Sequence, residues 1–254
     1  MAVSLDTNDQ MKVRLDKIPA LREAGENPYT DRFERTHTPG EARELADGVE
    51  NVRCCGRLVS FRSFGKLAFG HIFDMYGKVQ FALQKDVLGD RFKTFEKLVD
   101  IGDFVGVEGS MISTKTGEKT ISVTSWTFLS KSLRALPEKF HGLTDPELRL
   151  RRRYLDLISD SDVMTRFKLR TKIIKTVRDF LDGNGFTEVD TPVLTNKASG
   201  ALARPFTTHN NALDIDVFLR IAPETYLKRC IAGGMDRDFF ERIFHLIMRN
   251  KICG

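Results

Sequence analysis

Leu67-Ala-Phe-Gly-His-Ile-Phe-Asp74 is the stretch that decides how the first half of the chain folds. Its side chains alternate with a period of two, which is typical of a β-strand. One face carries Leu67, Phe69, His71 and Phe73, and the other carries Ala68, Gly70 and Ile72. Met75-Tyr-Gly77 then supplies a turn, and Lys78 to Lys85 supplies a second apolar run. The sequence therefore predicts a β-hairpin here.

Further strand patterns flank this hairpin on both sides. They lie at 52–60, 104–113 and 120–129, and 88–99 between them has helical periodicity. Five strands with a helix between the third and the fourth are typical of an OB-fold barrel. A small Greek-key barrel of another kind is the alternative that this pattern leaves open.

The remaining residues combine helices with short strands. Asp162 to Gly183 has the apolar stripe of a long helix, and Asn184-Gly185 suits its end. Short strands are predicted at 187–189, 206–208 and 217–221, and a helix at 223–231. We predict an α+β fold in which an OB-fold β-barrel precedes an incomplete domain with an antiparallel sheet. The expected segments are an extension (1–50), the barrel (51–136), a linker (137–160), a second domain (161–237) and an apolar tail (238–254).

Composition limits the class of protein without identifying it. The chain has 254 residues, a formal net charge of +5 and a pI near 9.0, which permits an anionic partner without requiring one. Residues 1–10 lack the apolar core of a secretion signal, and no stretch approaches the roughly 20 apolar residues of a membrane span. Cys54, Cys55, Cys230 and Cys253 lack the spacing of metal ligands. We expect a cytoplasmic protein with reduced thiols, no metal site of its own and no membrane partner.

Two groups of residues are candidates for nucleic-acid contact. OB-folds bind single strands through cations and stacking aromatic rings. The barrel offers Arg57, Arg62, Phe64, Lys66, Phe69, Lys78 and Phe81. By spacing alone, aromatic residues of a small barrel are more often core than stacking surface. The basic run Arg149–Arg153 is either a solvated charged face or a phosphate contact, and its pattern does not decide between them.

The second half of the chain contains three distinctive segments, Gly185-Phe-Thr-Glu-Val-Asp-Thr-Pro-Val-Leu194, Ala203-Arg-Pro-Phe206 and Arg220-Ile-Ala-Pro-Glu224. Together they resemble the start of the catalytic domain of class II lysyl-tRNA synthetases. The resemblance covers nearly all of residues 10–237. Aspartyl and asparaginyl enzymes share the layout, but the second and third segments indicate lysine. The resemblance implies a lysine–tRNA ligase that uses ATP and Mg²⁺ to make lysyl-adenylate and then transfers the lysyl group to tRNA-Lys.

The resemblance also implies roles for residues of the barrel. Arg57-Leu-Val-Ser60, Gly65-Lys66 and Thr116-Gly-Glu118 are similar to the anticodon-binding domain of that family. In the family, a phenylalanine, a glutamine and a glutamate read the central uridine of the lysine anticodon. Carried over by position, Phe69 would stack the base, Gln80 and Glu118 would contact its edge, and Arg62 would support the base or its phosphate. Flat rings and hydrogen-bonding side chains suit the recognition of an unstacked base.

For the second domain, the resemblance implies a lysine site and a dimer interface. Gly200 would contact lysine through its backbone, although Ser199-Gly200 stands where the family usually has two glycines. Glu224 would bind the α-ammonium group, as a carboxylate can; a partner of the helix dipole is the alternative. Gly185, Phe186 and Pro192 would lie at the interface of a homodimer, or of a heterodimer with a full-length synthetase. An ordinary helix-strand unit within one chain is the alternative.

The last segment departs from the family. After Gly233-Gly-Met-Asp-Arg237, ungapped register places Leu246 and Met248 where motif 2 has an arginine that binds ATP and a glutamate. If a gap is allowed, Arg249-Asn-Lys251 could imitate an Arg-Asn-Glu signature, but Lys251 has the opposite charge to the glutamate. The apolar residues from Phe239 onward instead repeat with helical spacing. Motif 3 and the acidic residues that hold Mg²⁺ are absent. We expect a truncated chain with no intact catalytic residues and little activity alone. The alternative is a non-catalytic tRNA-binding or regulatory protein that dimerises with a full-length synthetase.

Overall fold

The computed structural model describes residues 7–136, 143–197 and 203–239. The chain divides into two compact units, Met1–Ser161 and Asp162–Gly254, which are described separately.

The first unit is built around a closed barrel of five antiparallel and parallel strands, in the order β1-β2-β3-β5-β4. The bounds are β1 (Val52–Phe64), β2 (Leu67–Asp74), β3 (Gly77–Gln84), β4 (Phe104–Ser113) and β5 (Lys119–Ser130). This confirms the predicted OB-fold. β1 runs to Phe64 rather than ending at Ser60, because a bulge between Leu58 and Ser60 lets it continue pairing with β2.

Aromatic side chains from the β3–β4 connection close the barrel core. The connection contains two short helices, α3 (Lys85–Leu88) and α4 (Asp90–Leu98). Phe95 of α4 lies edge-to-face on Trp126, with ring centroids 5.0 Å apart, and 5.8 Å from Phe81. Phe81 is fully buried, so its candidacy for nucleic-acid contact is wrong. Gly70 makes room for it, because a Cβ there would lie 2.4 Å from the Phe81 ring.

Two helices precede the barrel, α1 (Thr7–Glu23) and α2 (Pro39–Glu44). Thr38 and Glu41 form a capping box at the start of α2. On α1, Arg14 Nη1 donates to the carbonyl oxygen of Ser132 at 2.8 Å. The Arg14 contact ties α1 to the segment after β5, and Ala42 of α2 is fully buried in the barrel core, so both helices pack on the barrel.

A buried ion cluster lies beneath α1. The Lys131 side chain is fully buried and its Nζ donates to Asp103 Oδ2 at 2.7 Å, to Asp100 Oδ2 at 2.6 Å and to the Leu98 carbonyl at 3.0 Å. Asp103 also accepts from the backbone N–H groups of Asp100 and Ser132, at 2.7 and 2.8 Å. Each charge buried here is therefore paired and hydrogen-bonded, as burial requires.

The basic run forms two helices rather than one, α5 (Pro146–Arg151) and α6 (Arg153–Ser159), because Arg152 leaves the helical region at φ −116° and ψ 50°. Arg149 Nε and Arg153 Nη1 donate to the two oxygens of the buried Asp156 carboxylate, at 2.8 and 2.5 Å. Two of the arginines of the basic run therefore form ion pairs with a buried carboxylate of the same segment.

The second unit contains the long helix and short strands. Its elements are α7 (Ser161–Gly183), β6 (Thr187–Glu188), β7 (Leu194–Thr195), β8 (Thr207–Asn210), β9 (Ile215–Leu219), α8 (Glu224–Ala232) and β10 (Asp238–Phe239). β7, β9 and β8 form an antiparallel sheet, and β10 pairs with β6 in parallel. Phe239 therefore lies in a strand, and the helical interpretation is wrong at that residue. Residues 240–254 lie outside the described part.

Candidate nucleic-acid interface

Strands β1, β2 and β3 present one outward surface of the barrel. In β2, Ala68, Gly70 and Ile72 point into the core, while Phe69 and His71 are only half-buried on the opposite side. Cross-strand pairing then brings outward residues of β1 and β3 alongside them. We call this surface the outer face and define it by Ser60, Arg62, Phe69, His71, Gln80 and Glu118.

One end of the outer face combines a cation with two aromatic rings. Arg62 of β1 pairs directly with Phe69 of β2. Phe64 lies at the end of β1 with 66% of its surface exposed, and its ring centroid is 6.4 Å from that of Phe69 in an edge-to-face arrangement. Exposed rings beside a guanidinium are the elements on which single-stranded bases stack.

The other end is a hydrogen-bonded network of amide, hydroxyl and carbonyl groups. Gln80 is 8% exposed, and its Nε2 donates to Thr120 Oγ1 at 3.1 Å. The Thr120 hydroxyl in turn donates to the Glu118 carbonyl at 3.0 Å. Parallel pairing of β3 with β5 creates this contact, because Gln80 and Thr120 are register partners. The network fixes Gln80 at the base of the outer face.

His71 lies between these two ends, opposite Ser60 on β1 and opposite Gln80 on β3. Its Nδ1 is 2.8 Å from Ser60 Oγ, and its Nε2 is 2.9 Å from Glu118 Oε1. The sequence placed His71 on this face but gave no sign of these partners, so its role was missed. The period-two alternation was the signal that could have included it.

A tight loop holds the backbone of Glu118. The N–H of Glu118 donates to Thr114 Oγ1 and the N–H of Thr114 donates to the Glu118 carbonyl, both at 3.0 Å. Gly117 has φ +82°, a conformation that favours glycine. The Glu118 side chain remains 50% exposed. The loop thus fixes the Cα of Glu118 and leaves its carboxylate on the outer face.

The structure places Arg62, Phe69, Gln80 and Glu118 on one outward face of the barrel. In the second unit, Glu224 begins α8, and its Oε1 accepts from Lys228 Nζ at 2.7 Å. This ion pair raises the pKa of Lys228, first through the hydrogen bond that Lys228 donates to Glu224 and then through the negative charge of the carboxylate. Gly200 lies outside the described residues.

The proposed interface residues of the second unit follow α7. Gly185 has φ +76° directly after the helix, and the carbonyl of Pro192 accepts from Arg220 Nη1 at 3.2 Å. Along α7, four large apolar side chains are exposed: Phe167, Leu169, Ile173 and Phe180. The predicted apolar stripe is therefore largely exposed within this unit.

The described residues contain neither a cluster of metal ligands nor a helix that could span a membrane. Within 7–136, 143–197 and 203–239, no three His, Cys, Asp or Glu side chains group as ligands for a metal ion. Over the same ranges, none of the helices combines the length and the apolar character needed to cross a membrane.

Comparison with known proteins agrees with both units. Residues 52–129 match the model of the OB-fold nucleic acid binding domain, and residues 145–244 match that of tRNA synthetases class II (D, K and N). The lysine–tRNA ligase of Carboxydothermus hydrogenoformans is 50% identical over 240 residues, covering 92% of this chain and 48% of that protein. Those of Lactococcus lactis subsp. lactis and Streptococcus mutans are 49% and 50% identical, each covering 94% of this chain and 50% of the relative. The chain spans about half the length of the curated relatives it matches. By these matches, the chain belongs to the class II lysine–tRNA ligase family.

Proposed function

We propose that this chain carries the anticodon-recognition face and the lysine site of a lysine–tRNA ligase. The observation that carries the proposal is the outer face, which presents Phe69, Gln80 and Glu118 on one side of the barrel. The chain is also 50% identical to a lysine–tRNA ligase over 240 residues. The substrates are lysine, ATP and tRNA-Lys.

The chemistry of the outer face suits a central uridine. Uridine presents an N3–H donor beside its O4 acceptor. The ionised Glu118 carboxylate only accepts hydrogen bonds, and the second hydrogen on Gln80 Nε2 is a donor. Cytidine has the opposite pattern, an N3 acceptor beside an N4 donor, so both contacts would be lost. Phe69 stacks the base, and Arg62 contributes the cation that favours its phosphate.

The lysine site is proposed around Glu224, with Gly200 as a backbone contact. In support of this role, the ammonium group of Lys228 lies 2.7 Å from a Glu224 carboxylate oxygen, so the carboxylate is accessible to an ammonium group. Substrate lysine would replace Lys228 in that contact. ATP belongs to the chemistry of the class.

We include in the proposal a dimer formed through α7 and the segment after it. The exposed apolar side chains of α7 are what a second subunit would cover, with Gly185, Phe186 and Pro192 at the contact. Both a homodimer and a heterodimer with a full-length synthetase would satisfy this requirement.

We also propose that these 254 residues do not form lysyl-adenylate without further protein. Leu246 and Met248 stand where the family has the arginine and glutamate of motif 2. Phosphoryl chemistry of this kind depends on positioned charge, which neither residue supplies. Lysine-dependent ATP–pyrophosphate exchange by the pure, folded chain would refute this part.

Binding of an anticodon stem–loop tests the recognition face. We expect the chain to bind a stem–loop with a central uridine more tightly than one with a central cytidine, measured by fluorescence anisotropy at one stated salt concentration. Phe69→Ala should weaken binding by about 5- to 150-fold, the value of one stacked base. Tyr76→Ala is the control, because Tyr76 is an exposed aromatic residue of the same barrel that lies in the β2–β3 turn and is not part of the outer face. Equal affinity for both loops, or an unaffected Phe69→Ala, would overturn the proposal.

A further inference from the structure

We propose that His71 is a positioning residue that aims the Glu118 carboxylate at the base and thereby sets the preference for a central uridine. The inference rests on the proposed anticodon recognition, and it names the group on which that specificity depends. His71 need not touch the base, since it acts through Glu118.

The two contacts of His71 select one tautomer. An ionised carboxylate cannot donate, so Nε2 must carry the hydrogen that lies between it and Glu118 Oε1, at 2.9 Å. Nδ1 of the neutral ring then accepts from the Ser60 hydroxyl at 2.8 Å. Ser60, His71 and Glu118 therefore form a directed chain of hydrogen bonds in which each donor faces an acceptor. The hydrogen bond from Ser60 orients the His71 ring, and the hydrogen bond from the ring orients the Glu118 carboxylate.

Glu118 needs such a tether because the rest of its side chain is not held. The loop fixes its backbone, but the side chain is half exposed and has three rotatable bonds. Within the described residues, Oε1 has His71 as its hydrogen-bond partner, and no protein partner of Oε2 is found there. Oε2 is thus the oxygen left to accept from uridine N3–H. Because one carboxylate oxygen is already fixed, the Glu118 side chain loses less conformational entropy when the base binds.

His71 itself is well placed for this task. Its side chain is 20% exposed and is flanked by direct partners on both neighbouring strands, Ser60 and Gln80. Gln80 and Glu118 therefore approach the same base from adjacent positions, one as donor and one as acceptor. If the carboxylate turned away, the stacking surface at Phe69 would remain and only the hydrogen-bond reading would be lost. Loss of His71 should accordingly reduce discrimination more than affinity.

The experiment compares His71→Leu with His71→Gln in the full chain, using stem–loops with central uridine or cytidine. Leucine removes both hydrogen bonds, whereas the glutamine Nε2 can occupy the position of the imidazole Nε2 and donate to Glu118. We expect His71→Leu to reduce the ratio of affinities for the uridine and cytidine loops by roughly tenfold, which is within the range of the effect of one mismatched base. His71→Gln should restore most of that ratio. In a double-mutant cycle, Glu118→Gln by itself should lower the uridine-over-cytidine ratio. Adding His71→Leu to Glu118→Gln should then lower the ratio little further.

Each outcome has a defined meaning. An unchanged ratio in a folded His71→Leu, or additive losses in the cycle, would overturn the role of His71 while leaving the proposed function intact. Absence of any preference in the wild-type chain would instead overturn the proposed function. If His71→Leu unfolds, as judged by the fluorescence of Trp126, the comparison of His71→Gln with Ser60→Ala decides. A preserved ratio in the first and a reduced ratio in the second supports the chain of hydrogen bonds, and the reverse refutes it.

Discussion

Replacing Asp103 by asparagine should destabilise the barrel unit more than any exposed charge change. Asp103→Asn keeps the size of the side chain but turns the acceptor that faces Lys131 and the Asp100 N–H into an amide donor or an uncharged carbonyl. Removing one partner of a buried ion pair costs about 3–5 kcal/mol. Asp100 remains 2.6 Å from Lys131 and still neutralises it in part, so we expect about 3 kcal/mol.

Urea unfolding followed by tryptophan fluorescence measures this loss directly. Trp126 is the single tryptophan of the chain and is fully buried in the barrel, so its emission reports on the first unit alone. With an m-value of about 2 kcal/mol/M, a loss of about 3 kcal/mol lowers the urea midpoint by roughly 1.5 M. The m-value itself should not change if only stability is altered.

The matched control is Asp86→Asn in the same unit. The Asp86 carboxylate lies 3.7 Å from Lys66 Nζ, and the two side chains are 77% and 75% exposed. An exposed pair of this kind contributes about 0–1 kcal/mol, so the midpoint should hardly move. If Asp103→Asn and Asp86→Asn gave equal shifts, the reasoning from burial would be wrong.

The two remaining stability and reactivity predictions concern Asp100 and Cys54. Burial alone would raise the pKa of Asp100, but hydrogen bonds from Lys131 and Lys17 outweigh it and lower the pKa overall from 3.8. Because the folded pKa lies below the unfolded one, the contribution of Asp100 is present above pH ~4 and is lost as the pH falls further. Asp100→Asn should make the urea midpoint less dependent on pH in that acidic range, and an unchanged slope would contradict this. Burial raises the pKa of Cys54 to about 12, so at pH ~8 on the order of one thiol in ten thousand is ionised. Mass spectrometry should find Cys54 unalkylated in the folded chain and fully alkylated in urea, and equal labelling in both would contradict the structure.

The barrel could be predicted because its strands follow local rules. Alternation in 67–74 placed Phe69 and His71 outward, and the structure has that strand at the predicted bounds. Cys54 and Cys55 point to opposite sides, as neighbours in a strand must, and only Cys54 is fully buried. Phe81 shows the limit of this reasoning. Composition made it a stacking candidate, and only the space left opposite it by Gly70 shows that its ring belongs to the core.

The candidate site depends on two features that no local pattern gives. If the period-two alternation that starts at the buried Val52 continued along β1, Ser60 and Arg62 would point into the barrel, as Leu58 does. The bulge after Leu58 inserts one residue and reverses that alternation, so that Ser60 pairs with His71 and Arg62 with Phe69 on the outside. A strand without the bulge would bury a guanidinium and expose Phe61, which instead lies 5.2 Å from Phe95 in the core.

The second feature is long-range register. Gln80 and Thr120 become partners because β3 pairs in parallel with β5, and the same pairing brings Glu118 within reach of His71 across 47 positions of sequence. Local propensity contains no information on such a pairing, since it is fixed only when the barrel closes. The residues that resemble known anticodon readers could therefore be named from the sequence, whereas the residue that orients one of them could not. His71 is expected to matter for this reason: closure of the barrel, rather than any motif, provides the contact on which Glu118 depends.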